Sequence, residues 1–103
     1  MRIVVLVAAA NKKEARKIGL ALVKKKLAAC VNIGEKIQSF FWWQGRIDRA
    51  REALLIIKSQ KSKLTRIIKT VKSLHSYKVP EIIALPIIDG NKDYLRWIDE
   101  SLR

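Results

Sequence analysis

The spacing of apolar residues along the chain switches repeatedly between that of a strand and that of a helix. Ile3-Val4-Val5-Leu6-Val7 is a short continuous apolar run, β-branched at most positions, and reads as a buried strand. Asn11 then opens a helix, because an Asn cap followed three residues later by Glu14 has the form of a capping box. Ala15, Ile18, Ala21 and Leu22 recur at helical spacing, with Lys12, Lys13, Arg16, Lys17 and Lys24 on the opposite side. Lys25 and Lys26 suit the C-terminal end of the helix dipole, so the helix stops near them. A second strand starts in Ala28 to Val31 and continues through Ile37 to Trp43; Gln44-Gly45 is a turn; Ile47 onward leads to a third strand at Ala53–Ile57. Those two strands make a long hairpin. Leu64, Ile67, Ile68, Val71 and Leu74 mark a second amphipathic helix, Glu81 to Pro86 a fourth strand, and Leu95, Ile98 and Leu102 a short last helix.

The order is β-α-β-β-α-β with a terminal helix. That is the split βαβ, ferredoxin-like pattern of the α+β class, in which two helices cover one face of an antiparallel sheet. At 103 residues, without linker, repeat or low-complexity stretch, residues 1–103 read as a single domain.

The stretch Ser39-Phe40-Phe41-Trp42-Trp43 does not fit that plan by itself. In a strand Phe40 and Trp42 share one face while Phe41 and Trp43 share the other, so neither face is polar. Three explanations compete: a sheet covered on both faces, a platform on which bases stack, or a surface that another chain covers. Two helices cover one sheet face only, and a monomer rarely exposes an apolar face of this size. Self-association is therefore expected, with Phe40, Phe41, Trp42 and Trp43 in the contact between subunits.

Composition narrows the partners. The chain carries 22 Lys and Arg against 9 Asp and Glu, a net charge of +13 that attracts anions. Nucleic-acid binding calls for cations interleaved with exposed aromatics, whereas here the lysines sit on helix faces and the aromatics on strands. A solvated face is the simpler account of the charge, and no specific nucleic acid and no membrane partner are expected. The opening apolar run is too short to span a bilayer, and a single cysteine, Cys30, fits a reducing compartment, so the chain reads as cytoplasmic. No glycine-rich phosphate loop, His-x-x-x-His pair or Ser/His/Asp arrangement is present, which argues against an enzyme.

The segments "KKKLAACVNI", "FFWWQGRI", "ALLIIKS", "LHSYKVPEIIALPI" and "GNKDYLRWI" resemble, in order and spacing, those of the CutA divalent-cation tolerance proteins over essentially the whole chain. The resemblance implies the ferredoxin-like fold already reached, a homotrimer whose long hairpins pack on neighbouring subunits, and a role in divalent-metal binding or tolerance. The same trimeric plan occurs in the PII nitrogen-signalling proteins, so a trimeric sensor or scaffold that binds an anion or a protein partner, without metal, is the alternative. Where the family usually reads His-Pro-Tyr-Glu-Val-Pro, this chain has His75-Ser76-Tyr77-Lys78-Val79-Pro80. Arg49 and Arg51 lie among the acidic residues after the hairpin turn, and Ala8-Ala9-Ala10 follows the first strand.

Under the resemblance the metal ligands are Cys30 and His75, with Glu81 as an oxygen donor, and copper is preferred because thiolate and imidazole follow the Irving–Williams order. The bland readings are a packed thiol for Cys30 and a helix-terminal cap for His75. Trp43, Lys58 and Tyr77 are the resemblance's candidates for a small-ligand pocket at a subunit cleft. Against them stand a snorkelling lysine at a strand end and an ordinary ion pair for Glu81.

Overall fold

The computed structural model describes all residues, Met1–Arg103. In chain order the elements are β1 (Arg2–Ala9), α1 (Lys12–Lys24), β2 (Cys30–Trp43), β3 (Arg46–Gln60), α2 (Leu64–Leu74), β4 (Ile82–Pro86) and α3 (Lys92–Ser101), with a single 3-10 turn at Lys61–Lys63 leading into α2. The four strands form one antiparallel sheet in the order β2-β3-β1-β4. This is the ferredoxin-like arrangement, and every expected element is present.

Alternation along the strands decides what each face buries. The pairs Val5↔Ile57 and Val7↔Leu55 put four buried residues on one face, where Ile18 and Leu22 of α1 and Ile67 and Val71 of α2 close the core. α1 lies tight against β2 because Gly19 has no side chain: a Cβ there would sit 3.1 Å from Val31 Cγ1. The opposite face carries Val4, Leu6, Leu54, Ile56, Ile83 and Leu85, none of them fully buried. Ile83 and Leu85 are 50% and 45% exposed. That face is apolar and largely open.

α3 closes one end of it with a small second cluster of Leu95, Ile98 and Leu102, packed on Ala29 and Ile87. Asp99 fastens the helix to the sheet. It accepts from Arg2 Nε and Nη2 at 3.1 and 2.7 Å and from Gln60 Nε2 at 2.9 Å. Those bonds, the Arg2 guanidinium first, hold its carboxyl below the usual range.

β2 and β3 outrun the rest of the sheet. The last β1–β3 pair is Ala9↔Ala53, yet β2 and β3 continue pairing from Ile37↔Glu52 to Trp43↔Arg46. A bulge between Gly34 and Ile37, with Lys36 at φ 59°, marks where this two-stranded arm begins. Gln44 and Gly45, both at positive φ, form the tight turn at its tip, as expected of a two-residue connection. Phe40, Trp42 and Ile47 share one face of the arm and are 69%, 74% and 68% exposed. The molecule is accordingly elongated, 44 × 25 × 23 Å.

Inside the core, the fully buried Ser59 hydroxyl donates to the carbonyl of Leu27 and pins the turn after α1 to β3. Ser59→Ala leaves that carbonyl without this donor, so urea unfolding should show a loss of about 1–3 kcal/mol. An unchanged midpoint would mean that the bond adds nothing to stability.

Candidate functional site

Pairing brings Cys30 opposite Lys58 in the row that also holds Val4, on the open face of the sheet and next to α3. Two residues on, Asn32 lies on the same face as Cys30. Its Oδ1 accepts from Lys58 Nζ and sits 4.0 Å from the Cys30 sulfur. Tyr94 of α3 also reaches Cys30. Burial, followed by the contact with Cys30, pushes its phenol above the usual pKa. Thiol, amide, ammonium and phenol thus converge on a half-open patch. Asn32 and Tyr94 were missed in the sequence reading. Asn32 was legible from its two-residue spacing to Cys30, but nothing in the sequence places Tyr94 there.

A second polar cluster forms where the segment after α2 crosses the end of β1. His75 ends α2, with its amide on the carbonyl of Val71, and its side chain is wholly buried. The ring is used on both sides: Nε2 lies 2.7 Å from the Ala8 carbonyl oxygen, and Nδ1 accepts from the Tyr77 amide at 3.0 Å. Tyr77 tilts against the imidazole and donates its hydroxyl to Glu52 Oε2 at 2.9 Å, which answers for the buried Glu52 carboxylate. Burial and this carboxylate push the Tyr77 phenol up to about 12.

Glu14 ties the same loop to α1. Asn11 Oδ1 caps the Glu14 amide as expected, but the Glu14 carboxylate reaches one residue past the usual capping-box partner, to the Ala10 amide at 2.8 Å. Its second oxygen accepts from the Ser76 amide at 2.7 Å. Partial burial works to raise its pKa. Hydrogen bonds from the Ser76 hydroxyl and from the Ala10 and Ser76 amides outweigh that and hold it below 4.5.

These positions correct the metal set within one subunit. Cys30 lies in the row of Val4, while His75 bonds Ala8, four residues further along β1, about 13 Å away in the strand direction alone. Glu81 precedes the Ile82↔Val7 pair and so belongs to the His75 end. The imidazole has no nitrogen free for a metal, and no three His, Cys, Asp or Glu side chains gather anywhere in the chain. Cys30, His75 and Glu81 do not form a metal site in one chain.

The pocket set is equally dispersed. Trp43 pairs with Arg46 at the arm's tip, Tyr77 meets Glu52 at its base, and Lys58 lies a further six residues along β3. Successive members are about 20 Å apart at strand rise. Any cleft that joins Trp43, Lys58 and Tyr77 therefore needs more than one chain.

The chain matches the family model described as CutA1 divalent ion tolerance protein over residues 3–101. It is 45% identical over 98 residues to the divalent-cation tolerance protein CutA of Archaeoglobus fulgidus, covering 95% of each chain. The solved structure of the A. fulgidus protein, titled a periplasmic divalent cation tolerance protein, superposes with a TM-score of 0.96 at 44% identity over 100% of both chains. Against the chloroplastic protein CutA 1 of rice, identity is 46%, and the match takes 98% of this chain but 57% of the rice protein.

The Glu14 clamp gives a pH test. Because the folded-state pKa is depressed, its stabilisation is present above about pH 4.5 and lost as pH falls through the lower folded value. Glu14→Gln should cost about 1.5–3 kcal/mol in urea unfolding at pH 7, the range for hydrogen bonds to a charged group. The gap to the unaltered protein should narrow as pH falls below about 4.5. A gap that stays constant down to pH 3 would show that the carboxylate charge is irrelevant to the clamp.

Proposed function

Because the chain belongs to the CutA1 divalent ion tolerance family, we propose that it works as a homotrimer that binds a divalent metal ion, copper by preference, in metal-ion tolerance or response. The observation that carries this reading is the pair of uncovered apolar surfaces, the open sheet face and the arm. A two-stranded ribbon by itself is at best marginally stable in water, and its aromatic faces call for a neighbour. Phe40, Phe41, Trp42 and Trp43 are the proposed contacts. Sheet face and arm together supply the interface, and the arm brings Trp43 within reach of another subunit.

A metal fits this chain only where subunits meet. Cys30, half exposed and lightly bonded, is the soft donor we retain; the remaining donors come from neighbouring chains. His75 is assigned a structural role by its two occupied ring nitrogens. The role proposed is binding, in the cytoplasm, where a free thiol persists.

The alternative, a trimeric PII-like sensor or scaffold that takes an anion or a protein partner, has one specific observation in its favour. Lys58 stands beside Cys30, and an ammonium there repels a divalent cation and attracts an anion.

Sedimentation and calorimetry separate the two. The protein should sediment as a trimer at micromolar concentration, and Trp43→Ala should shift it towards smaller species. Under anaerobic conditions Cu(II) should bind more tightly than Zn(II), with affinity falling as pH falls. Cys30→Ser should lower that affinity at least tenfold, while His75→Ala should lower stability instead. Binding of inorganic phosphate that Lys58→Gln abolishes, with no copper heat, favours the alternative. A monodisperse monomer removes the basis for both.

A further inference from the structure

The charge of this chain is one-sided. The segments 11–29 and 61–75, which comprise α1, α2 and their flanking turns, hold twelve of the 22 basic residues and one of the nine acidic ones. That one is Glu14, already committed to backbone amides. Elsewhere ten cations face eight carboxylates, so nearly all of the +13 sits on the helical layer. Of the twelve, only Lys12 makes an ion pair, with Glu35 at 3.1 Å. The other eleven, seven on the two antiparallel helices and four in their flanking turns, have no carboxylate side chain as partner, though Lys26 reaches an oxygen of the C-terminal Arg103.

A solvated face is normally laced with acids, because like charges four residues apart destabilise a helix. Here the repulsion is left standing. It is densest where the end of α1 meets α2, in a shallow groove lined by Lys25, Leu27, Arg66, Lys69, Thr70 and Ser73. The groove lies on the helical side of the sheet, away from the apolar face and the arm, so association through those surfaces leaves it open.

We infer that this helical layer is a docking surface for the phosphate backbone of duplex nucleic acid, bound without regard to sequence. The charge densities match. α1 has 13 residues and is about 20 Å long. A duplex carries one negative charge per about 1.7 Å, hence about twelve over the same length. The layer lacks what other polyanion partners require. It has no Phe, Tyr or Trp to stack on unpaired bases or anchor in a lipid interface. Its exposed large apolar residues are Leu20 and Val23, too few for an inserted stripe. Neither helix contains Asn or Gln to read adenine edges. What remains is a field and a groove, which serve backbone contact alone. The segregation of aromatics from lysines rules out base reading and leaves this mode intact.

Fluorescence anisotropy with two unrelated 20-base-pair DNA duplexes tests the surface on the whole protein. Both should bind alike within twofold, with log K falling against log salt at a slope of about −4, as four to five phosphate contacts imply. The triple change Lys25→Glu, Arg66→Glu and Lys69→Glu should weaken binding at least tenfold at 50 mM salt and flatten the slope. A control of equal charge, Lys92→Glu, Arg96→Glu and Arg103→Glu on and beyond α3, should stay within threefold. If reversal impairs folding, Lys25→Gln with Lys69→Gln, two exposed neutralisations, should still weaken binding threefold or more. The proposal fails if both triples lose equally, if no duplex binds at 50 mM salt, if one sequence is strongly preferred, or if phosphatidylserine vesicles bind more tightly than duplex at equal salt.

Discussion

A β-ribbon two strands wide has no third strand and no helix to shelter it, and that constraint governs this structure. From Ile37 and Glu52 outward, β2 and β3 have only each other. Their cross-strand bonds are satisfied, but their side chains are not: Phe40, Trp42 and Ile47 share one face and stay largely exposed. The same deficit continues on the sheet, where Leu6, Leu54, Ile56 and Ile83 form an apolar patch on the open face, which α3 covers only at one end. Burying apolar surface is worth about 25 cal/mol per Å², so surfaces of this extent drive association rather than tolerate solvent. The bulge between Gly34 and Ile37 marks where the arm leaves the sheet.

Electrostatics divides the molecule along the same line. The sheet side and arm are nearly balanced in charge, which is what surfaces meeting copies of themselves require, since like-charge contact costs several kcal/mol. The helical side carries almost all the excess. Apolar contact and positive field are thus kept on opposite faces of a four-stranded sheet. The Cys30–Lys58 patch lies at the border, on the open face but against α3, where a small anion or a metal meets opposing influences from an ammonium and a thiol.

Periodicity made the elements legible: the runs at Ile3–Val7 and Ala53–Ile57, the helical spacing of Leu64 to Leu74 and the Gln44-Gly45 turn all lie where the pattern puts them. These depend on interactions within a few residues. The site was less legible because it depends on register. Cys30 and His75 are paired by the family resemblance, but strand alignment places them four residues apart along β1, and a spacing of 45 residues carries no such information. The Glu14–Ser76 clamp was hidden for a related reason: Glu14 looked like a local capping residue, and half of that was so. Position 76 shows what a family pattern conceals. The proline usual there has no amide hydrogen, whereas Ser76 donates both its amide and its hydroxyl to Glu14. The departure replaces a stiff ring with an electrostatic tie, which holds the same loop by a different means.

Placing binding groups where chains meet has a thermodynamic consequence. When donors from separate subunits complete a site, the ligand binds the assembly and not the monomer, so occupancy and association become linked. Each tenfold gain in assembly affinity on binding is about 1.4 kcal/mol contributed by the ligand. With apolar surfaces as large as the arm and sheet face to bury, the proposed trimer needs little ligand energy to form. A ligand held between its chains would then act on how the subunits are seated more than on how many there are.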